Sequence, residues 1–287
     1  MEGDVGGGLK VAFQGVRGAY SEAALLRHFG ASVEAVGFPF SEQVFDAVED
    51  GRAGAGFVPV ENSIAGPVGI NTDLLLERRV FATAESYLSI NHCLLARPGE
   101  RLEDVKTVYS HPIALAQCRD FISRRGLRAV PEYDTAGAAE IVAGRKLAGE
   151  AAIASRRCAE VYGLAVLAED IQSVQNNITR FLAFHREDDE AVRPRGEKTS
   201  LAFSVHHHPG ALLDCLKRFA DHQINLTRLE SRPIPANPFE YVFFVDFLGG
   251  LDDGAVRTAL EELRAAARHV KVIGSYPLAE RPRAGTT

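Results

Sequence analysis

Residues 9–30 read LKVAFQGVRGAYSEAALLRHFG, and this stretch sets the fold class. A short apolar run at 10–14 suits a buried strand, a glycine-flanked polar turn follows at 15–21, and residues 20–29 then carry apolar side chains at helical intervals. Strand, tight turn and helix form the unit of an α/β domain. The turn from Gly15 to Ser21 resembles an anion-binding turn because it opens a helix directly after a strand. Neither GxGxxG nor GxxxxGK[ST] is present, so no dinucleotide or P-loop site is indicated, and a plain βα turn accounts for it.

The same alternation continues outward from that unit. Strands are expected at 53–60, 106–110, 151–154 and 180–184, with helices at 41–50, 113–124, 135–143 and 156–162. This order predicts a largely parallel sheet with helices on both faces, and such sheets take ligands at the carboxyl ends of their strands. Residues 186–197, REDDEAVRPRGE, are mostly charged, contain proline and have no apolar period, so they read as an exposed linker and domain boundary. Beyond it the spacing predicts strand 199–205, helix 211–221, strands 224–232 and 241–248, helix 255–267 and strand 270–276. That βαββαβ order is the α+β ferredoxin-like plan. Its antiparallel sheet leaves open edges, so pairing with another chain is expected.

At 287 residues the chain exceeds one ordinary core, which favours a catalytic unit with a small companion domain. The balance of 46% apolar to 24% charged residues is that of a water-soluble globular protein. A net charge of −6 gives no broad basic surface, so neither nucleic acid nor anionic membrane is an expected partner. Residues 1–8, acidic and glycine-rich, read as a disordered tail without secretory features. No uncharged apolar run approaches the ~18 residues of a membrane span, and a cytoplasmic setting is expected. Cys93, Cys118, Cys158 and Cys215 lack paired spacing and read as buried thiols rather than zinc ligands or disulfides. His206, His207 and His208 alternate faces on an extended strand, so they do not converge on one ion, and no metal site is expected.

Four stretches concentrate polar groups where a core tolerates few. Asn176-Asn177-Ile178-Thr179-Arg180-Phe181 crowds hydrogen-bonding groups before an apolar strand; β propensity and a solvated charge would account for Thr179 and Arg180 alone. Val58-Pro59-Val60-Glu61-Asn62-Ser63-Ile64-Ala65-Gly66 ends a hydrophobic strand in a carboxylate, an amide and a hydroxyl, any one of which capping would explain. Tyr109-Ser110-His111-Pro112, with Gln117 following, and Asp134-Thr135-Ala136-Gly137-Ala138-Ala139 repeat the theme at helix starts. The seven-residue spacing of Ser110 and Gln117 is compatible with one helix side.

Laid out together, these stretches resemble the prephenate dehydratase family over nearly the whole chain. The family's Thr-Arg-Phe stands at 179–181, its Val-Pro-Ile-Glu-Asn-Ser is similar to 58–63, and its Ser-His-Pro and Asp-Thr-Ala-Gly-Ala-Ala stand at 110–112 and 134–139. Its Gly-Ala-Leu-Val effector motif is similar to Gly210-Ala211-Leu212-Leu213, and its Glu-Ser-Arg-Pro is Glu230-Ser231-Arg232-Pro233. The N-terminal Gly-Pro-x-Gly-Thr-Phe-Ser-Glu departs to Gly15-Val16-Arg17-Gly18-Ala19-Tyr20-Ser21-Glu22, losing a proline and a threonine hydroxyl.

The resemblance implies a two-lobed catalytic domain at 9–185, like type 2 periplasmic binding proteins, with lobes of about 9–84 plus 172–185 and of about 85–171. A regulatory ACT domain follows at 198–279. The implied reaction removes carbon dioxide and water from prephenate to give phenylpyruvate in L-phenylalanine biosynthesis, with no cofactor or metal. Thr179 is implied as the catalytic donor to the leaving hydroxyl, Arg180 as an anchor for the dianionic substrate, and Asn62, Ser63, Ser110, Gln117 and Thr135 as neutral contacts. Glu61 is read as a structural acceptor. Phenylalanine is implied to bind between ACT domains of a homodimer, possibly within a homotetramer. There it would meet Gly210, Ala211, Leu212 and Leu213 of one subunit and Asn225, Leu226, Glu230, Ser231, Arg232 and Pro233 of the other. An arogenate or broader cyclohexadienyl dehydratase is the alternative, a noncatalytic amino-acid sensor a more distant one. No fused mutase or dehydrogenase domain is expected.

Overall fold

The computed structural model describes residues 8–145, 147–189, 196–234 and 237–282, with the side chains of 237–239 left aside. In chain order the first elements are β1 (Lys10–Gln14), α1 (Tyr20–Phe29), β2 (Glu34–Phe38), α2 (Ser41–Glu49), β3 (Ala55–Asn62), β4 (Gly66–Pro67), α3 (Gly69–Glu77) and β5 (Val80–Ser89). Next come β6 (Cys93–Ala96), a 3-10 turn, β7 (Thr107–Ser110), α4 (Pro112–Gln117), α5 (Arg119–Arg124), β8 (Arg128–Pro131), α6 (Thr135–Gly144), β9 (Glu150–Ala154), α7 (Arg156–Tyr162) and β10 (Ala165–Ala168). The chain ends with β11 (Ile178–Arg186), β12 (Lys198–Ser204), α8 (Ala211–Asp221), β13 (Leu226–Ile234), β14 (Asn237–Leu248), α9 (Gly254–Ala266) and β15 (His269–Tyr276). Most of the expected tail and the middle of the expected linker, residues 1–7 and 190–195, lie outside the described residues.

The chain forms two compact units. One holds the described parts of Met1–Asn71, Ser86–Phe181 and Glu280–Thr287; the other holds Thr72–Glu85 and Leu182–Ala279. In the first unit, β1 lies between β2 and β3 and runs parallel to both, with β11 next to β3. Phe13, Phe57 and Phe181 are fully buried there, and the Phe57 and Phe181 rings stack at 5.1 Å. The second sheet of this unit has the order β10-β6-β9-β7-β8. Here the expectation of a largely parallel sheet needs correction. β7 is parallel to β8 and β9, but β6 runs against both β9 and β10.

The single helix expected at 113–124 is two helices broken at Cys118, whose φ/ψ are −105° and 14°. A distant segment makes the break. The Ser173 amide donates to the Gln117 carbonyl (2.7 Å), and the Ser173 hydroxyl accepts from the Asp120 amide (3.2 Å). That carbonyl would otherwise serve the next helical turn. Cys118 is buried in the core beneath the break, with Leu94, Val108 and Ile153.

The second unit contains the expected ferredoxin-like module. Its strands are ordered β13-β14-β12-β15, with antiparallel pairs β12/β14, β12/β15 and β13/β14. Helices α8 and α9 bury Phe219, Leu260 and Leu263 against Leu201, Phe203, Val245 and Phe247 of the sheet. This unit also takes in the end of α3 and most of β5. β5 joins the sheet edge in parallel where Ala82 meets Gly274, a glycine at which a Cβ would overlap the Ala82 carbonyl. Lys271 Nζ donates to the carbonyls of Leu75, Leu76 and Arg78 at the end of α3 (3.1, 2.9 and 2.6 Å). Lys198 Nζ lies 2.7 Å from Glu85 Oε2, with both side chains almost wholly out of water.

Burial holds His28, His92 and His185 below the usual imidazole pKa of 6.5. At His92 the Gln117 hydrogen bond opposes this shift, and at His185 Asp189 does. Between those lowered values and 6.5 the unfolded chain binds more protons than the folded one, so stability rises with pH through that window and is lost as pH falls below 6.5. Thermal melting is expected to drop between about pH 7.5 and about pH 5.5, and His185→Asn should flatten that dependence. An unchanged slope in that variant would remove His185 from the account.

Candidate active site

The carboxyl end of β3 delivers Asn62, and the entry to β11 delivers Asn177 and Thr179. The link from β5 to β6 brings His92, the broken end of α4 brings Gln117, and the starts of α1 and α6 bring Tyr20, Ser21 and Thr135. These side chains line one cavity of about 290 Å³ in the first unit. Among the described residues no lysine or arginine lines it, and the ionisable lining groups are Tyr20, His92, His111 and Asp134.

A single polar network joins most of these groups, and the backbone fixes its direction. The amides of Ile64 and Ala65 donate to Asn62 Oδ1 (3.0 and 2.8 Å), so Asn62 Nδ2 must point the other way. Asn62 Nδ2 donates to Asn177 Oδ1 (2.6 Å) and to Thr179 Oγ1 (2.9 Å). Asn177 Nδ2 therefore faces Gln117 and donates to its Oε1 (3.1 Å). His92 Nε2 also reaches Gln117 Oε1, at 2.8 Å, while its Nδ1 lies 2.8 Å from the Tyr20 hydroxyl. Thr179 thus accepts through its oxygen and keeps its own proton for the cavity. Burial, the largest cause, holds the Tyr20 hydroxyl well above its ordinary pKa of 10.0, and nearby Cys93, Cys158 and Cys118 act in the same direction.

The structure sorts the expected site residues. Asn62, Gln117, Thr135 and Thr179 meet at the cavity. Three do not, and their expected direct contacts are corrected. Arg180 lies on the opposite face of β11 from Thr179 and Phe181, as strand alternation requires, and its Nη1 is 4.0 Å from Glu61 Oε2. The Ser63 hydroxyl donates to the Asn176 carbonyl and accepts from the Ile178 amide, each at 2.9 Å, so it clamps the chain entering β11. Ser110 is fully buried, donates to the Ile153 carbonyl at 2.5 Å and ties β7 to β9 rather than sharing a helix side with Gln117. Tyr20, His92 and Asn177 join the site although none was expected as a contact. Asn177 stood in a polar cluster, and Tyr20 in the first turn; His92 carried no local signal.

In the second unit, Gly210, Ala211, Leu212 and Leu213 border a surface hollow at the start of α8, where Gly210 takes a φ of 88° and Leu213 is exposed. Asn225 and Leu226 lead into β13, and Glu230, Ser231, Arg232 and Pro233 lie along it. Glu230 pairs with Arg228, and Arg232 grips Asp73 with two bonds of 2.8 and 2.6 Å. Among the described residues no three His, Cys, Asp or Glu side chains cluster as metal ligands, and no helix is long and apolar enough to cross a membrane.

An α/β unit of two sheets with a hydrogen-bonding cavity, joined in one chain to a ferredoxin-like module, defines a small-molecule enzyme with an appended regulatory fold. The prephenate dehydratase family profile matches residues 11–189 and the ACT domain profile residues 199–265. Arogenate dehydratase/prephenate dehydratase 2 of Arabidopsis thaliana, a chloroplastic protein, is 41% identical over 95% of this chain and 74% of its own length. The crystal structure of prephenate dehydratase in complex with L-Phe from Arthrobacter aurescens matches with a TM-score of 0.86 and 32% identity, covering 96% of this chain and 93% of that one. A quorum-quenching acylase, GqqA, matches with a TM-score of 0.85 and 36% identity, covering 94% and 98%. The chain belongs to the prephenate dehydratase family, is a dehydratase of the carbon-oxygen lyase class, and carries an ACT domain.

Proposed function

We propose that the cavity takes prephenate and expels its ring carboxylate as carbon dioxide and its ring hydroxyl as water, leaving phenylpyruvate. The observation that carries this is Thr179, whose oxygen is occupied by Asn62 Nδ2 and whose proton is left for the cavity. The electron pair of the breaking C–CO2 bond completes the aromatic ring as the opposite C–O bond breaks. Thr179 donates a hydrogen bond to the departing oxygen, whose charge grows only in the transition state, and the hydroxide that leaves takes its proton from solvent to become water. A threonine hydroxyl is a weak acid, so its contribution is placement.

A lining without lysine or arginine among the described residues suits decarboxylation, because a cation on the leaving carboxylate would stabilise the ground state. Gln117, Thr135 and Ser21 supply neutral contacts, and the start of α1, which lacks a side-chain cap bond, adds partial positive charge for an anionic substrate. The reaction asks for no metal or cofactor. We assign catalysis to residues 9–185, with lobes of about 9–84 plus 172–185 and about 85–171, and regulation to 198–279.

The acylase likeness brings no support for acyl transfer, which needs a nucleophile paired with a base. Both His92 nitrogens are engaged by Tyr20 and Gln117, and His111 Nδ1 accepts from the Ile113 amide. A second substrate, arogenate, is favoured by Asp134, a carboxylate on the cavity wall where its ammonium would find a partner. Comparing kcat/KM for prephenate and arogenate with the purified protein tests both, and turnover of neither would overturn the proposal.

Feedback by phenylalanine through a homodimer of ACT domains, within a cytoplasmic dimer or tetramer, completes the proposal; the phenylalanine-bound Arthrobacter relative supports the effector. A coupling of about 1–3 kcal/mol predicts that saturating phenylalanine lowers apparent prephenate affinity about 5- to 150-fold. Kinetics insensitive to phenylalanine would remove that part.

A further inference from the structure

The hydrogen-bond directions decide a point that distance alone leaves open, namely which end of Gln117 the substrate meets. Gln117 Oε1 receives Asn177 Nδ2, whose orientation is inherited from the backbone amides of residues 64 and 65 through Asn62. With that oxygen established as an acceptor, the ring nitrogen 2.8 Å away, His92 Nε2, must carry hydrogen. The neutral imidazole then has a bare Nδ1, 2.8 Å from the Tyr20 hydroxyl, whose single proton also reaches the Asn91 carbonyl at 2.9 Å. The His92 backbone is pinned too: its amide donates to Gln172 Oε1 (2.9 Å) and its carbonyl accepts from the Ile171 amide (3.1 Å).

We infer that His92 is a positioning residue for Gln117: protonated on Nε2 and pinned through its backbone, it saturates Gln117 Oε1 and leaves only the Gln117 amide hydrogens for an oxygen of the bound substrate. Were His92 the other tautomer, its Nε2 lone pair would face Gln117 Oε1, and relief would require turning the amide over. The cavity would then show the substrate's carboxylate and keto oxygens an acceptor instead of a donor. The inference rests on the cavity being the prephenate site.

A contact to an oxygen that keeps its charge through the reaction is uniform binding, so its loss raises KM more than it lowers kcat. His92→Leu, which fills space without donating, is expected to raise KM for prephenate about tenfold or more, and His92→Gln, whose amide can reach Gln117 Oε1, to restore it to within about threefold. In a Gln117→Leu background, His92→Leu should add nothing further, because the two act through one amide. Nitrogen-15 spectra of the wild-type histidine rings should show His92 protonated on Nε2. A wild-type KM in His92→Leu, additive effects with Gln117→Leu, or an Nδ1-protonated ring in wild type would overturn the inference. If His92→Leu fails to fold, the spectra decide it. Absence of prephenate turnover in the wild type would sink the substrate reading while the ring spectra still test the tautomer.

Discussion

Thr179→Val is expected to lower kcat about 100- to 10,000-fold, the usual worth of a placed general acid, while KM for prephenate moves less than about threefold. Valine keeps the branched shape of a residue that is 8% exposed, so the wall of the cavity stays in place. What disappears is the proton aimed at the departing oxygen and the acceptor for Asn62 Nδ2. That amide retains Asn177 Oδ1 at 2.6 Å, so the network loses a branch and not its trunk. The stability cost should therefore stay near about 1 kcal/mol, which a melting curve separates from the kinetic loss. Thr179→Ser restores the hydroxyl and should recover most of kcat. If the valine variant turned over prephenate at nearly the wild-type rate, the leaving hydroxyl would have to find its hydrogen-bond donor elsewhere.

The contrast between Thr179 and Arg180 shows what a linear reading resolves. The motif that contains both is visible in the sequence, and strand alternation already says that adjacent residues serve opposite faces. Applied to 179–181, it sends Thr179 and Phe181 one way and Arg180 the other, as observed. Ser63 and Ser110 misled for a different reason. Each is a polar group at a strand end, and a hydroxyl that bonds a neighbouring strand's backbone reads the same in sequence as one that faces a ligand. His92 could not be found locally at all, since its partners lie 25 and 72 residues away.

Elements followed the same division. The ferredoxin-like module was legible because its strands and helices each carry their own period. The break between α4 and α5 was not, because Ser173, from a separate segment, makes it. β6 was equally opaque: four apolar residues, fully paired on both sides, carry no mark of direction.

Lys198→Met should produce the largest loss of stability, about 3–5 kcal/mol, because it removes the ammonium that pairs with a carboxylate water cannot reach. Glu85 and Lys198 are 0% and 2% exposed at their side chains, and their 2.7 Å contact joins β5 to the first residue of β12 inside one compact unit. Lys198 sits between β14 and β15, opposite Leu248 and Tyr276, so its ammonium has no path to solvent along the sheet. Glu85 Oε1 keeps the Ala279 amide at 3.3 Å. Removing both charges together, as Glu85→Leu with Lys198→Met, should cost far less than either single change and can even stabilise, since desolvating two ions offsets much of their attraction. Urea unfolding of the two single variants and the double variant measures this directly as a coupling energy. A Lys198→Met protein as stable as wild type would overturn the reading of this contact as a stabilising buried ion pair.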